Sequence, residues 1–140
     1  MSIHPEFANQ ILSGRKRVEF RRRALAQVVT RIVVYATSPI CAVVGVAEVV
    51  RIQHASPRSL WAAYGHVGGI EHARFDAYFA GTGTGVAYEL GRIWVCESPI
   101  ELGRRGLPTR APQAYQYVGA NTLSTLMNDT RPRRVHARTA

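Results

Sequence analysis

Residues 31–52 read RIVVYATSPICAVVGVAEVVRI, and they contain two runs rich in β-branched residues on either side of a short turn. The runs at 31–36 and 42–52 predict two strands, because valine and isoleucine suit a pleated, half-buried surface. The turn TSPI between them predicts a hairpin or a closed sheet. Gly45 lies inside the second run and indicates a bulge or bend, which would help the sheet to curl into a barrel.

The segment before this hairpin predicts one helix and one strand. Pro5 suits the first turn of a helix, apolar residues follow it at helical spacing, and Gly14 ends the pattern. Residues 17–21 then alternate between charged and apolar side chains, which is typical of a strand with one face in water. The alternation places Glu19 and Arg21 on the same face of that strand.

The segment after the hairpin predicts two helices and then a return to strands. Ser56 can cap a helix that begins at Pro57, and the sequence GHVGG separates this helix from a second one. A Gly/Pro/Arg loop, GRRGLPTRAP, follows the next strand. The predicted elements after GHVGG are a helix at 70–79, strands at 86–96 and 115–118, and a short C-terminal helix at 121–130.

These elements predict an α/β (α+β) fold, a mixed β-barrel of five or six strands with helices inserted on one side. The chain has 140 residues and is 46% hydrophobic, which suits one ordinary domain with its own core. We assign residues 1–120 to this domain, 121–130 to the short helix, and 131–140 to a basic, disordered tail.

The chain is strongly basic, with a formal net charge of +9. Such a charge points to a polyanion, most often nucleic acid, because neutralising phosphates is favourable whatever the base sequence. Residues 1–130 hold 14 basic and 9 acidic residues, a net charge of +5, and the tail adds the rest. We expect non-specific phosphate attraction from the tail residues Arg131, Arg133, Arg134 and Arg138. The alternative is a tail that is only solvated.

The sequence predicts neither a metal or cofactor site nor a signal peptide or membrane span. Cys41 and Cys96 lie in apolar runs without metal-ligand spacing, which indicates buried, reduced thiols. The five histidines show no metal spacing, and GTGTG at 81–85 lacks the ending of a phosphate loop, so we expect no metal and no cofactor. The N-terminal residues do not resemble a signal peptide, and no stretch is long and apolar enough to span a membrane. We therefore expect a cytoplasmic protein without a membrane partner.

Lys16 is the only lysine, and every other basic residue is arginine. One interpretation is coding bias, with a single lysine left by chance. The other is a site residue, because a lysine amine is compact and can lose its proton when desolvated, whereas a guanidinium stays charged and planar.

The N-terminal stretch SIHPEFANQILSGRKRVEFRRR resembles the opening of the ASCH domain, a branch of the PUA-like superfamily. The signature of that family is a Ser/His-Pro start, an Ile-Leu-x-Gly helix end and then GxKxxExR, which Gly14, Lys16, Glu19 and Arg21 match. The likeness continues through YATSP, VVG, GVAYEL and PQAYQY, and it covers about residues 1–118.

The resemblance implies a compact barrel with helices over one mouth and a cleft that binds RNA or a (possibly modified) nucleotide. Lys16 and Arg21 would donate to phosphate or base edges, Glu19 would accept, and Tyr35 or Tyr115 would stack on a base. The implied ligand-binding residues are Lys16, Glu19, Arg21, Tyr35, Ser38, Gln113 and Tyr115. The alternative is a structural ion-pair network on a barrel rim.

The resemblance also leaves an enzyme open, a metal-independent hydrolase of RNA or of a modified nucleoside such as acetylcytidine. Lys16 and Glu19 would then act as a catalytic acid–base pair. Glu19 stands where the acetylcytidine branch has threonine, which puts a hydroxyl-assisted route in doubt. A regulatory role in RNA metabolism would act through RNA, because the helix pair at 57–80 lacks the basic recognition face of a DNA-binding helix-turn-helix.

Overall fold

Six strands and four helices make up residues 1–133, the part of the chain that the computed structural model describes. The strands are β1 (Ser2–Ile3), β2 (Val18–Arg21), β3 (Arg31–Ala36), β4 (Ala42–Ala55), β5 (Gly85–Glu101) and β6 (Thr130–Pro132). The helices are α1 (Pro5–Ser13), α2 (Pro57–Tyr64), α3 (His72–Phe79) and α4 (Ala120–Asn128), and a 3₁₀ turn at Gly65–Val67 follows α2.

The strands form one sheet in the order β1-β3-β4-β5-β2, with β6 added to β5. Only the β1–β3 pairing is parallel among the described strands. The long strand β5 pairs with β2 near its start and with β6 further along, while β4 runs beside most of its length. The β4 register shifts between Val43 and Gly45, so the bend predicted from Gly45 is confirmed.

The predicted α+β class and the six strands are confirmed, but the sheet is not a closed barrel. Within residues 1–133 the path ends at β1 on one side and at β2 on the other, with no ladder between them. These two strands have two and four residues, and within the described part of the chain β1 pairs with β3 and β2 pairs with β5. Instead, Arg21 Nη2 of β2 donates to the Ser2 carbonyl of β1 at 3.1 Å. This open seam becomes the site described below.

Single residues determine where the helices beside the seam begin or end. Gly14 ends α1 with a left-handed φ of 81°, and its N–H donates to the Ile11 carbonyl. Ser56 caps α2 by accepting from the Ser59 N–H, as predicted. Helices α2 and α3 pack on β2 through a cluster that includes Phe20, Leu60, Phe75 and Phe79. The inserted helices therefore cover one face of β2.

Three predictions about local structure are wrong. The face of β2 that carries Glu19 is not in water, because Glu19 is 8% exposed and Arg21 on the same face lies against β1, where it donates to the Ser2 carbonyl. Residues 115–118 form no strand, and the Tyr117 hydroxyl instead accepts from the Gln27 N–H. Cys41 is exposed because it ends the turn after β3 with a left-handed φ of 52°, whereas Cys96 is buried.

The C-terminal segment is ordered further than predicted. Helix α4 begins at Ala120 and ends at Asn128, close to the predicted 121–130. Thr130–Pro132 then pair with Trp94–Cys96, so Arg131 and Arg133 belong to the folded part rather than to a disordered tail. Arg134 and Arg138 lie outside the described residues. No helix among the described residues has the length and apolar character needed to cross a membrane.

Candidate nucleic-acid-binding site

A cavity of about 190 Å³ opens at the seam between β1 and β2, and we call it the seam cleft. Lys16, Glu19 and Arg21 line it together, so the structure brings three of the predicted site residues to one place. The remaining lining residues come from β1 and β2, from α1 and the residue that caps it, from the turn before α3 and from α3; they are Ser2, Ile3, His4, Phe7, Phe20, Ile70, Phe75 and Tyr78. The cleft therefore has charged groups set among aromatic walls.

Lys16 is the most deeply buried charged residue of the cleft, with 4% of its surface exposed. Its Nζ donates to the Gly68 carbonyl at 2.6 Å and lies 3.7 Å from Glu19 Oε2. The rings of Phe7 and Phe20 lie 5.0 and 5.7 Å from the amine. Burial lowers the pKa of Lys16 below its usual value, and the nearby Glu19 carboxylate opposes that shift. The amine is thus a confined donor that releases a proton more readily than an ordinary lysine.

Glu19 and Arg21 form an ion pair in which some buried polar atoms have no hydrogen bond within the described residues. Glu19 Oε1 lies 3.3 Å from Arg21 Nε, an ion pair whose geometry is too poor for a hydrogen bond. Glu19 Oε2 and Arg21 Nε have no hydrogen-bond partner among the described residues, although both atoms are buried. A buried carboxylate oxygen without a partner is energetically costly. A ligand N–H or O–H in the seam cleft would supply the missing partner.

The local sequence explains this arrangement. Side chains two residues apart in a strand share a face, which brings Glu19 and Arg21 together on β2. Gly14 ends α1, and the chain then turns back so that the Lys16 N–H donates to the Gln10 carbonyl at 3.0 Å. This turn directs Lys16 toward the same face. The packed α2–α3 insert closes over it through the Gly68 carbonyl.

Gln113 and Tyr115 lie in a neighbouring depression rather than in the seam cleft. This Gln113 depression has a volume of about 860 Å³ and shares Arg21 and Tyr78 with the seam cleft. Residues 112–114 are held there by Ser2, which donates through its N–H to Ala114 and through its hydroxyl to Pro112. The depression also contains Arg22 and Arg23, the exposed arginines that follow β2.

Tyr35 and Ser38 do not lie in the seam cleft, contrary to what the resemblance implies. Tyr35 is 7% exposed and packs in a separate cluster with Val43, Cys96 and Leu126. Burial and the neighbouring Cys41 raise the pKa of Tyr35. Ser38 is exposed in the turn between β3 and β4. Neither residue lines the seam cleft.

Sequence reasoning missed His4 and Tyr78 as cleft residues. His4 is the N-cap of α1 and accepts from the Glu6 N–H through Nδ1 at 3.4 Å. Tyr78 comes from α3; its hydroxyl accepts from the Arg22 N–H at 3.2 Å, and the Arg22 guanidinium lies 4.7 Å from its ring. The His-Pro start was a usable signal for His4. In the sequence Tyr78 cannot be distinguished from an aromatic residue of the core. Only tertiary packing places it at the cleft.

The two described arginines of the predicted basic tail have partners in the fold. Arg131 Nε lies 2.7 Å from Glu97 Oε1, an exposed ion pair between β6 and β5. Arg133 Nη1 donates to the Ser13 carbonyl at 3.2 Å beside the end of α1. No cluster of three or more possible metal ligands occurs within residues 1–133.

Comparison with known proteins agrees with the fold and with the position of the motif. The family model of the ASCH domain matches residues 1–104, and this span contains the whole Lys16–Arg21 motif. The chain belongs to the ASCH domain family. The resemblance noted in the sequence is therefore confirmed.

Relatives of this ASCH domain occur in Zymomonas mobilis. Over 91 residues the chain is 40% identical to a protein named ASCH domain-containing ribonuclease, an alignment that covers 64% of this chain and 62% of that relative. A crystal structure of ASCH from the same organism superposes with a TM-score of 0.80 at 31% identity, covering 94% of both chains. A serine-to-alanine mutant of that protein gives a TM-score of 0.83 at 32% identity, with the same coverage.

Proposed function

We propose that this ASCH domain binds RNA and holds part of one nucleotide in the seam cleft. The observation that carries the proposal is Glu19 Oε2, a buried carboxylate oxygen without a hydrogen-bond partner in the described structure, beside a cavity of about 190 Å³. Lys16 and Arg21 flank it with N–H groups. A base edge or a ribose hydroxyl offers the donor that Glu19 lacks and acceptors for the two cations.

The surroundings of the cleft support a nucleic-acid strand rather than a free small molecule. Arg22 and Arg23 follow β2 directly, are exposed, and make no ion pair within residues 1–133. Tyr115 in the Gln113 depression is 40% exposed and offers a surface on which a flanking base could stack. The net charge of +9 adds long-range attraction for phosphates.

RNA cleavage is the second candidate function, supported by the relative named as a ribonuclease and by the lowered pKa of Lys16 beside Glu19. In this reaction Glu19 takes the proton of a ribose 2′-hydroxyl, and the 2′ oxygen forms a bond to the adjacent phosphorus. The bond from phosphorus to the 5′ oxygen breaks, and Lys16 gives that oxygen a proton. The products are a 2′,3′-cyclic phosphate and a 5′-hydroxyl, and Arg21 neutralises the charge on the phosphate oxygens.

Modified-nucleoside hydrolysis has weaker support. Glu19 occupies the position where the acetylcytidine branch has a threonine, and no hydroxyl side chain from β2 lines the cleft. A regulatory role in RNA metabolism is compatible with binding alone, because it requires recognition of RNA and no turnover.

The test is to mix the purified protein with a single-stranded RNA and measure both binding and products. Glu19→Gln keeps the size of the side chain and removes its charge, so we expect RNA affinity to fall by about 1–3 kcal/mol and any cleavage to stop. The matched control is Glu97→Gln, an exposed glutamate that lines neither the seam cleft nor the Gln113 depression. Wild-type binding and cleavage by Glu19→Gln would show that the seam cleft is not the site.

The same experiment separates the two candidate functions. If the wild type binds RNA without producing shorter fragments, the protein is a binding module. If it cleaves RNA but not a DNA strand of the same sequence, and leaves 2′,3′-cyclic phosphate ends, the 2′-hydroxyl is the nucleophile.

A further inference from the structure

A second concave surface lies on the other side of Lys16 from the seam cleft. It has a volume of about 660 Å³, and we call it the Trp94 groove after the residue at its floor. Lys16 lines both the groove and the seam cleft, so the two adjoin at this residue. Besides Lys16, the charged side chains in the groove are Arg17, Arg92, Arg133 and the single acid Glu48.

The arginines of the groove are held in different ways. The Arg92 Nε lies 3.3 Å from Glu48 Oε2, and its guanidinium lies 5.6 Å from the Trp94 ring. Arg133 packs against Gly14, where an added Cβ would lie 2.5 Å from its guanidinium. The absence of a side chain at Gly14 thus allows Arg133 to lie against the end of α1. The Arg133 guanidinium, which packs on Gly14 and donates to the Ser13 carbonyl, is therefore positioned before any ligand arrives, and this reduces the entropy lost on binding.

Arg17 differs because it is exposed and has no ion-pair partner in the described part of the chain. It follows Lys16 directly and stands at the boundary between the cleft and the groove. The Arg17 N–H donates to the Val67 carbonyl at 2.8 Å, and its carbonyl accepts from the Leu90 N–H, so the backbone beneath it is fixed. Arg17 therefore lines the groove on a backbone that two hydrogen bonds hold in place.

We propose that the Trp94 groove is a second RNA contact, which binds the phosphodiester backbone of the strand whose nucleotide occupies the seam cleft. This inference rests on the proposed function of the cleft. Three arginines against one glutamate give the groove a net positive charge, which suits a polyanion. The shared wall at Lys16 allows one strand to continue from the cleft into the groove. The contact is to phosphates, so it does not depend on base sequence.

The test uses two probes, uridine monophosphate and an oligouridylate of about ten nucleotides, a length within the usual footprint of a single-strand binding site. The variant is Arg17→Gln with Arg133→Gln, and the control is Arg58→Gln with Arg110→Gln. The control arginines are exposed and line neither the cleft nor the groove. Affinity is measured over a range of salt concentrations.

We expect the groove variant to bind the oligouridylate with a salt slope smaller by about 1.4, since each contact to a single strand contributes about 0.7. At 0.1 M salt this corresponds to about 25-fold weaker binding, and the difference should vanish near 1 M. Binding of uridine monophosphate should not change. If the double variant fails to fold, Arg17→Gln alone should show about fivefold weaker binding, because its side chain has no intramolecular partner to lose.

The outcomes separate the groove from the cleft. An oligouridylate affinity and salt slope equal to those of the control would refute the groove, whatever the cleft does. If Glu19→Gln weakens both probes while the groove variant weakens neither, the proposed function stands and the groove inference fails. If the groove variant weakens only the longer probe while Glu19→Gln weakens neither, the cleft proposal fails and RNA binds at the groove alone.

Discussion

Replacing Lys16 with arginine tests whether the seam cleft needs a compact amine. The substitution keeps a positive charge, so a simple electrostatic role would survive it. The structure leaves little space for the larger planar head group. The Lys16 Nζ is 2.6 Å from the Gly68 carbonyl and has the rings of Phe7 and Phe20 on either side. A Cβ at Gly69 would lie 3.1 Å from the Lys16 Cβ, so the turn before α3 closes tightly over this side chain.

Two contributions determine how much stability and RNA affinity the Lys16→Arg protein should lose. Overpacking a buried position costs about 1–3 kcal/mol of unfolding free energy. The guanidinium can escape part of that cost only by extending into the seam cleft, where it would occupy ligand space and pair with Glu19 Oε2. We therefore expect RNA affinity to fall by about 1–3 kcal/mol as well, which is about 5- to 150-fold. Any cleavage should stop, because a guanidinium does not release its proton near neutral pH.

Urea unfolding and RNA-binding isotherms at pH 7 check this prediction, with Arg15→Lys as the control. Arg15 is an exposed neighbour without an ion pair among the described residues, so the reverse exchange there should change stability by less than about 0.5 kcal/mol. A Lys16→Arg protein with wild-type stability and RNA affinity would refute the reasoning, because the amine could then be neither confined nor part of the site.

Three further predictions follow from charge and burial. Truncation after Arg133 removes two arginines and should lower the salt slope of RNA binding by up to about 1.4, whereas an unchanged slope would show that the removed segment makes no phosphate contact. Because the pKa of Lys16 is lowered in the folded state, the unfolded chain binds more protons between that value and about 10.5, so wild-type stability should rise with pH in this window relative to Lys16→Met, as measured by urea unfolding. Burial raises the pKa of Cys96 to about 11 from 9.0, so the wild type should lose about 2 kcal/mol relative to Cys96→Ala as pH rises from 9 to 11; parallel stability curves would contradict this.

The features predicted correctly from sequence are those encoded within a few residues. Pro5 and Gly14 bound α1, the β-branched runs give β3 and β4, and Ser56 caps α2. Each signal acts on its own neighbours, and the packing of the domain does not oppose it. The period of two in β2 likewise placed Glu19 beside Arg21 on one face.

The errors arise where distant parts of the chain decide the outcome. The Glu19 face of β2 was expected in water because nothing near it in sequence shows that β1 lies against this face, where Arg21 donates to the Ser2 carbonyl. Residues 115–118 have the composition of a strand, but they are held by single hydrogen bonds and no strand pairs with them. Closure of a barrel depends on whether β1 and β2 pair with each other, and the periodicity of a strand does not reveal its partners.

The single lysine of this arginine-rich chain can be understood from the burial of its site. Coding bias alone predicts that the surviving lysine occupies an exposed position where either residue would do, yet Lys16 is 4% exposed. Arg21 keeps its charge at the seam, where its side chain remains 20% exposed, and a guanidinium has no neutral form to adopt when water is removed. A lysine can be buried because it can lose its proton, and the Lys16 Nζ lies 3.7 Å from Glu19 Oε2. The proposed cleavage therefore uses the buried pair Lys16 and Glu19 for proton transfer and restricts Arg21 to holding charge.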